Sequence, residues 1–382
     1  MPANPARRAL RILHVVDSLE RGGLERVVVD LAVGQQARGD AVTLFSLMHT
    51  NGLRQEVEAA GVEVVVGGKS RAFDVSLIRR LRATARRVGA QVVHAHNFVP
   101  NYYAATALLP FPGDGVQVAT CHDMGTRLSD RKLRLLFRGS LLRTRKVAMV
   151  SAQVHDHHVG TGMVARDKAA TILNGIPIER FRPSEGRRAS ARDALGLAHD
   201  ALVIGAVGRL VPVKNHALLI DLLPRLLLRH PRVRLVLVGG GVLEPQLRQR
   251  AAELDVSASV SFLGERDAVA DILPAFDVYA LPSLSEGLSI SLLEASSSAL
   301  PAVAFDVGGN GEVIEHGATG LLVPAGDDDG YCRALESLLD DAQARIRLGN
   351  AASGRAARHM SLDAMCGSYD ALYRDALGLS PG

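Results

Sequence analysis

Twice along this chain short apolar runs alternate with segments of helical period, and that alternation restricts the fold more than any other feature. The first series opens with RILHVV (11–16) and continues through a helix over 24–39, AVTLFSL (41–47), a helix over 53–60 and VEVVVG (62–67). A helix over 76–89, QVVHAH (91–96), a helix over 101–109, QVAT (117–120), a basic segment at 131–145 and VAMVS (147–151) complete it. Runs this apolar, each followed by a helix, predict a parallel sheet covered on both faces. Pro177, Pro183, Ser184 and Gly186 mark a linker, and the alternation restarts at ALVIGAVG (201–208). Helices over 215–229, 243–254, 288–299 and around 310–316 then interleave with VRLVLVGG (233–240), VSFLG (260–264), DVYALP (277–282), PAVAFD (301–306) and GLLVP (320–324). The stretch from about 331 reads as helical. The expectation is two doubly wound α/β domains, 1–183 and 184–363, facing a cleft.

Composition removes several functional classes. A hydrophobic content of 47% over 382 residues suffices for two cores, while the absence of Trp and a net charge of +4 give no stacking platform or charge excess for nucleic acid. Cys121, Cys332 and Cys366 are too scattered for a disulfide framework or a paired metal site, which fits a reducing compartment. No run reaches eighteen apolar residues and no signal peptide is legible at the N-terminus, so a cytoplasmic protein is expected.

In doubly wound sheets ligands bind beyond the carboxyl ends of the strands. The stretch SLSEGLSISLLEA (283–295) follows one such strand with a small-residue turn and a helix. Free N–H groups at a helix start, here expected at 287–289, favour an anion. Glu286 and Glu294 bracket the stretch, roughly 9–12 Å apart at helical rise. That separation suits a diphosphate with a hydroxyl-bearing ring at each end, as in a nucleotide sugar; equally, one is an N-terminal helix acid and the other a solvated helix residue. GRLVPVKN (208–215) places Arg209 and Lys214 on another strand-to-helix loop, either as diphosphate ligands or as solvated cations. In the first half, Gly22-Gly23 is too sparse for a dinucleotide fingerprint and is either a turn or a close backbone approach to a ligand. His122 ends a strand, free either to take a proton or hold a sugar, or to serve structure alone. His94 and His96 share one strand face and Asn97 follows; a metal, an acceptor contact and a packed core histidine are the readings open. Asp327, Asp328 and Asp329 read as a solvated turn and helix start. Arginines crowd 79–87, and 131–146 interleaves seven cations with leucines, which suits either an anionic membrane surface or a packed helix with an arginine-rich face.

These residues together resemble the family-4 glycosyltransferases, retaining enzymes of the GT-B fold. The similarity runs from RILHVVDSLERGGLERVVVDL to GLLVPAG, and EGLSISLLEA resembles the family's signature of two glutamates separated by seven residues. GRLVPVKN resembles its diphosphate motif. The resemblance implies that Arg209 and Lys214 hold the donor diphosphate and Glu294 the ribose. Glu286 with the backbone of Gly287, Leu288 and Ser289 would hold the transferred sugar. It further implies that the stretch 260–264, Leu263 included, lines the base pocket, that His122 and Gly22-Gly23 are the first domain's site residues, and that a helix over about 364–382 packs back on that domain. His94, His96 and Asn97 are acceptor-side candidates. Similarity is greatest to sugar transferases of exopolysaccharide and cell-surface glycan assembly. The implied reaction moves a sugar from a UDP- or GDP-sugar to a glycan or polyprenyl-linked acceptor, without metal, in the cytoplasm or at the inner membrane face. A nucleotide-sugar epimerase or hydrolase and a non-catalytic nucleotide-binding subunit are the alternatives.

Overall fold

The computed structural model describes residues 8–379 except 21, 50–51, 72, 110–114, 123–127, 129 and 185. Arg21, just before the Gly22-Gly23 turn, and Asp123, just after His122, lie outside the described residues. The chain divides into two compact units, one comprising residues up to Gly175 and from Leu362 onward, the other Ile176–Ser361. These limits fall before the expected 183/184 and 363/364 bounds. The reason is local: Ile176 N–H bonds Met360 O at 3.0 Å and pairs with Ser361, so residues 176–183 stay with the second unit.

Among the described residues the first unit holds seven strands: β1 (Arg11–Val16), β2 (Ala41–Ser46), β3 (Glu63–Val66), β4 (Val92–His96), β5 (Val116–Cys121), β6 (Thr144–Met149) and β7 (Ala169–Thr171). They pair in parallel in the order β3-β2-β1-β4-β5-β6-β7. Its helices are α1 (Gly23–Ala37), α2 (Arg54–Ala59), α3 (Val75–Arg87), α4 (Phe98–Ala107), α5 (Arg131–Leu141) and α6 (Ala152–Gly160), joined by the chain's last helix, Leu362–Leu377. Alternation across β1 decides the core. Leu13 and Val15 pack with Leu77, Leu81 and Tyr103 on one face, while Val16 packs with Val28, Val29 and Val57 on the other. Helix α3 begins where Asp74 accepts from the N–H groups of Ser76 and Leu77, and it buries Leu77, Ile78 and Leu81 at about 1.5–3 kcal/mol per side chain. The sequence pattern gave no sign of α6 or β7. Only Val154 and His158 of α6 are buried, and a three-residue Ala-Ala-Thr strand carries no apolar run.

The second unit orders six parallel strands β10-β9-β8-β11-β12-β13: β8 (Leu202–Val207), β9 (Val233–Val238), β10 (Val260–Phe262), β11 (Val278–Leu281), β12 (Ala302–Phe305) and β13 (Gly320–Val323). Its helices are α7 (Arg187–Ala194), α8 (His216–Arg229), α9 (Glu244–Glu253), α10 (Val269–Ile272), α11 (Ile290–Ser297), α12 (Asn310–Val313), α13 (Asp328–Asp340) and α14 (Ala342–His359); the last helix of the first unit is therefore α15. Ile204, Leu219, Leu223, Leu235, Leu237, Val303, Phe305 and Tyr331 form its core. Gly205 in β8 lies under the ring of Phe276, and a Cβ there would overlap that ring. Helix α7, absent from the sequence reading, delivers Arg192 at 1% exposure. Its guanidinium donates to the carbonyls of Ala198, His199, Ala201 and Ala275 and to Asp277 Oδ2, which also accepts Val203 N–H at 2.7 Å. A buried cation is tolerated here because its donors meet so many acceptors.

Candidate active site

In the second unit the strand order reverses at β8, which has β9 on one side and β11 on the other. A doubly wound sheet opens its ligand crevice at such a point. The loop after β8 carries Gly208 and Arg209, then a 3-10 turn over Pro212–Lys214. The loop after β11 carries Ser283 to Ser289. The two loops are tied together by Leu284 N–H donating to Val213 O at 2.8 Å. Lys214 Nζ then donates to Glu286 Oε1 at 2.5 Å, with the side chains 20% and 9% exposed. The loop after β12 presses from the other side: Gly309 N–H donates to Gly287 O at 2.7 Å. Gly308 sits at φ 57°, where a Cβ would collide with the Glu286 carbonyl. Only glycine meets both demands.

Other residues expected at this site fall around that pair. Arg209 is exposed and, among the described residues, has no side-chain hydrogen bond, so its fork is open to a ligand. Glu294 is half-buried on α11. Leu263 directly follows β10, its N–H bonded to Leu237 O at 2.9 Å, and Gly239 pairs with Gly264 beside it. One correction concerns the helix start. Helix α11 begins at Ile290, with Ser289 as the extended N-cap, so Gly287 and Leu288 lie in the preceding turn and the first free N–H groups belong to Ile290 and its successors. Serine prefers that boundary position to a helix interior. Tyr279, which the sequence reading passed over, lies buried on β11 with its hydroxyl on Val207 O at 3.3 Å. Burial, and then the nearby carboxylates of Glu294 and Glu286, raise its pKa, so it stays a neutral phenol beneath the two acids. Burial and the neighbouring Lys214 hold His216 down to about 4.

In the first unit the order reverses between β1 and β4. Parallel register sets His14 beside His94 and His96 beside Thr120 on one sheet face, beneath α1 and α15. His14 Nε2 lies 2.8 Å from Gln35 Oε1 of α1, and His14 Nδ1 lies 3.0 Å from His96 Nε2. His96 Nδ1 lies 3.1 Å from His122 Nε2. His94 bonds Tyr373 OH of α15 and Thr120 Oγ1, both at 2.7 Å. Asn97 is held at φ 67°, and its amide oxygen accepts His122 N–H at 2.8 Å. Strained backbone there fixes the end of β4 against the end of β5. Burial pushes His14 to about 4 and His122 to about 3, and holds His94 and His96 well below the ordinary range. All four rings are therefore neutral near pH 7.

The donor atoms of His14, His94 and His96 lie within 4.8 Å of one another, a spacing that suits a metal. Each of their six ring nitrogens, however, already has a hydrogen-bond partner. Sequence reasoning missed His14 and Gln35; the one sat in an apolar strand run and the other in a helix, with no spacing signal. Gly22 and Gly23 open α1, Gly22 as its extended N-cap. Asp327 caps α13 by accepting Gly330 N–H at 2.8 Å, which is the helix-start role its position suggested. All three cysteines are buried, and none is in a disulfide.

The sequence matches two family profiles: "Glycosyltransferase Family 4" over residues 21–180 and "Glycosyl transferases group 1" over 187–355. The protein EpsF of Bacillus subtilis (strain 168) is 30% identical over 309 residues, covering 78% of this chain and 79% of that protein. A D-inositol 3-phosphate glycosyltransferase of Stackebrandtia nassauensis is 37% identical over 226 residues, 55% of this chain and 51% of the relative; the match thus spans about half of that protein's length. Among solved structures, Anabaena Alr3699/HepE in complex with UDP-glucose superposes with a TM-score of 0.86 at 22% identity, over 96% of this chain and all of the other. That similarity describes fold alone.

Proposed function

Because this chain belongs to the family-4 glycosyltransferases of GT-B fold, we propose that it moves a sugar from a UDP- or GDP-sugar to a glycan or polyprenyl-linked acceptor with retention of configuration, in the assembly of a cell-surface polysaccharide. The observation that carries this reading is the Lys214–Glu286 pair at the strand-order reversal of the second unit, with Arg209 exposed on the same loop. A departing diphosphate needs cations aimed where its charge develops, and Arg209 with Lys214 supplies a fork and a point charge. A diphosphate would compete with Glu286 for Nζ, leaving the Glu286 carboxylate to accept from hydroxyls of the transferred sugar. Glu294 would take the ribose, the backbone of Gly287, Leu288 and Ser289 the sugar, and Leu263 the base. No metal is required for this charge stabilisation. Gly22, Gly23 and His122 are assigned from the first unit. A ring held at about 3 is a poor base near pH 7, so His122 would hold a sugar hydroxyl by hydrogen bonding and not take a proton. His94, His96 and Asn97 act behind it. UDP-glucose in the HepE complex favours a UDP-sugar among the donors.

A second contact is proposed with an anionic membrane surface. Among the described residues no helix is long and apolar enough to cross a membrane. Helix α5 buries Phe137 and Leu141 yet leaves Leu135 and Leu136, with Leu142 just beyond it, exposed among its cations. Exposed apolar groups ringed by arginines suit a surface-lying helix.

The donor reading is tested by thermal shift against UDP, GDP, ADP and their sugar conjugates without metal, since a ligand of the folded state raises its stability. A shift with one base, lost in Glu294→Ala and Arg209→Ala, is expected, followed by acceptor-dependent product. Absence of a shift with every nucleotide overturns the donor site.

A further inference from the structure

Four neutral imidazoles, one amide, two phenols and one threonine hydroxyl form a continuous hydrogen-bonded chain in the first unit. Each member has a limited stock of protons, so the direction of one bond fixes the next. The amide of Gln35 stands at the branch point. Its Oε1 can only accept, so His14 must carry its proton on Nε2, 2.8 Å away. His14 Nδ1 is then a lone pair that takes the Nε2 proton of His96 at 3.0 Å. His96 Nδ1 in turn takes the Nε2 proton of His122 at 3.1 Å. The other side of the amide donates from Nε2 to Tyr373 OH at 3.3 Å. Tyr373 then donates to His94 Nδ1, His94 Nε2 to Thr120 Oγ1, both at 2.7 Å, and Thr120 to Tyr369 OH at 3.0 Å. No atom in either branch is asked to give or take a proton twice.

We propose that Gln35 is a positioning residue for sugar transfer: through His14 and His96 it sets the tautomer of His122, so that Nδ1 of His122 is a lone pair that receives a sugar hydroxyl. This rests on the reading that His122 meets substrate. The backbone constraint from Asn97 Oδ1 on His122 N–H orients the residue, while the relay sets which ring nitrogen accepts. Burial keeps every ring in the relay neutral, the condition under which an imidazole transmits direction. Turning the amide of Gln35 over would reverse both branches at once and put a proton on His122 Nδ1, which would then donate where it should accept.

The test is two-bond 1H–15N correlation spectroscopy of the full chain labelled with 15N-histidine, which separates the two neutral tautomers. In the wild type His14, His94, His96 and His122 are expected to carry their protons on Nε2. Gln35→Met keeps the volume without the amide, and His122 is expected to become a mixture of tautomers. His14→Phe cuts only the first branch, so His122 changes and His94 does not. In either variant kcat falls about tenfold with little change in donor KM, as for an outer residue that orients a working one. A wild-type His122 protonated on Nδ1, or an unchanged Nε2 tautomer in both folded variants, overturns the relay. If the tautomer changes as expected while kcat does not, the relay stands and the role of His122 in transfer falls.

Discussion

Lys214 and Glu286 are 72 residues apart in sequence, yet Nζ and Oε1 meet at 2.5 Å between the loops that follow the paired strands β8 and β11. The cation thus stands where a doubly wound sheet opens. Lys214→Ala should lower kcat by about 100- to 1,000-fold, the usual cost of removing one charge-stabilising donor. The fold should survive at a cost of about 1–3 kcal/mol, since the Glu286 carboxylate, 9% exposed, is left without its cation. Turnover assays beside urea melts check both; transfer at the wild-type rate would sink the assignment.

Arg192 should matter for stability alone. Its guanidinium serves four carbonyls and Asp277 while almost wholly buried; Arg192→Met removes that shared donor, leaving Asp277 with Val203 N–H and Arg188 and the Ala198 carbonyl with Ala201 N–H. A loss of about 3–5 kcal/mol is expected from breaking such a buried pair, read as a lower urea midpoint at similar slope. A change below about 1 kcal/mol would mean that Arg188, also on Asp277, takes over.

Gly205→Ala should cost about 1–3 kcal/mol because its Cβ meets the Phe276 ring. Phe276→Leu in the same chain should recover part of that loss, giving a favourable coupling in a double-mutant cycle. Strictly additive losses would contradict the overlap.

Acid should destabilise the first unit before the second. His14 near 4 and His122 near 3 are neutral in the folded state and regain a pKa near 6.5 when unfolded. With folded pKa values depressed, the unfolded state binds more protons, so stability is complete above about 6.5 and is lost as pH falls toward the folded values. Each such group contributes a slope of up to about 1.4 kcal/mol per pH unit. His94 and His96 add to the first unit, whereas His216 is the second unit's counterpart. Hydrogen exchange at pH 7 and pH 5 should show the strands β1, β4 and β5 losing protection first; equal loss in both sheets would refute this.

Membrane contact predicts co-sedimentation with vesicles rich in anionic lipid and not with neutral ones. Replacing Leu135 and Leu142, 72% and 87% exposed, by Glu should abolish it without loss of folding. Equal recovery with both vesicle types would remove the proposal.

Much of this was legible because parallel strands buried on both faces write themselves as apolar runs, as at 201–208 and 233–238. Lys214 and Glu286 stood out as candidates because charged residues beside such strand ends have few structural reasons to be there, whereas Glu294, inside α11, stood out only by its spacing from Glu286. His14 was not: one polar residue inside RILHVV leaves the strand pattern intact, and its register with His94 exists only in three dimensions. Gln35 reads as an ordinary helix residue because its partner Tyr373 lies 338 positions away. Neither α7 nor Arg192 shows in the sequence, since 187–194 lies between a linker and the next strand with no apolar period and nothing there announces the carbonyls that surround the guanidinium. The start of α11 was placed two residues early because Leu288 extended the apolar pattern past Ser289, where the backbone had already left the helix.

Helix α15 completes a unit whose other residues end at Gly175. On a ribosome adding about 5–20 residues per second, the intervening segment 176–361 delays that helix by on the order of 10–40 s. During that interval the nascent sheet carries His94 and Thr120 without Tyr373 and Tyr369 to receive them. The later-made unit, with both of its ends bound at Ile176 and Ser361, has all its residues first. Synthesis order and completion order are therefore opposite in this chain, and the histidine face is the last surface to close.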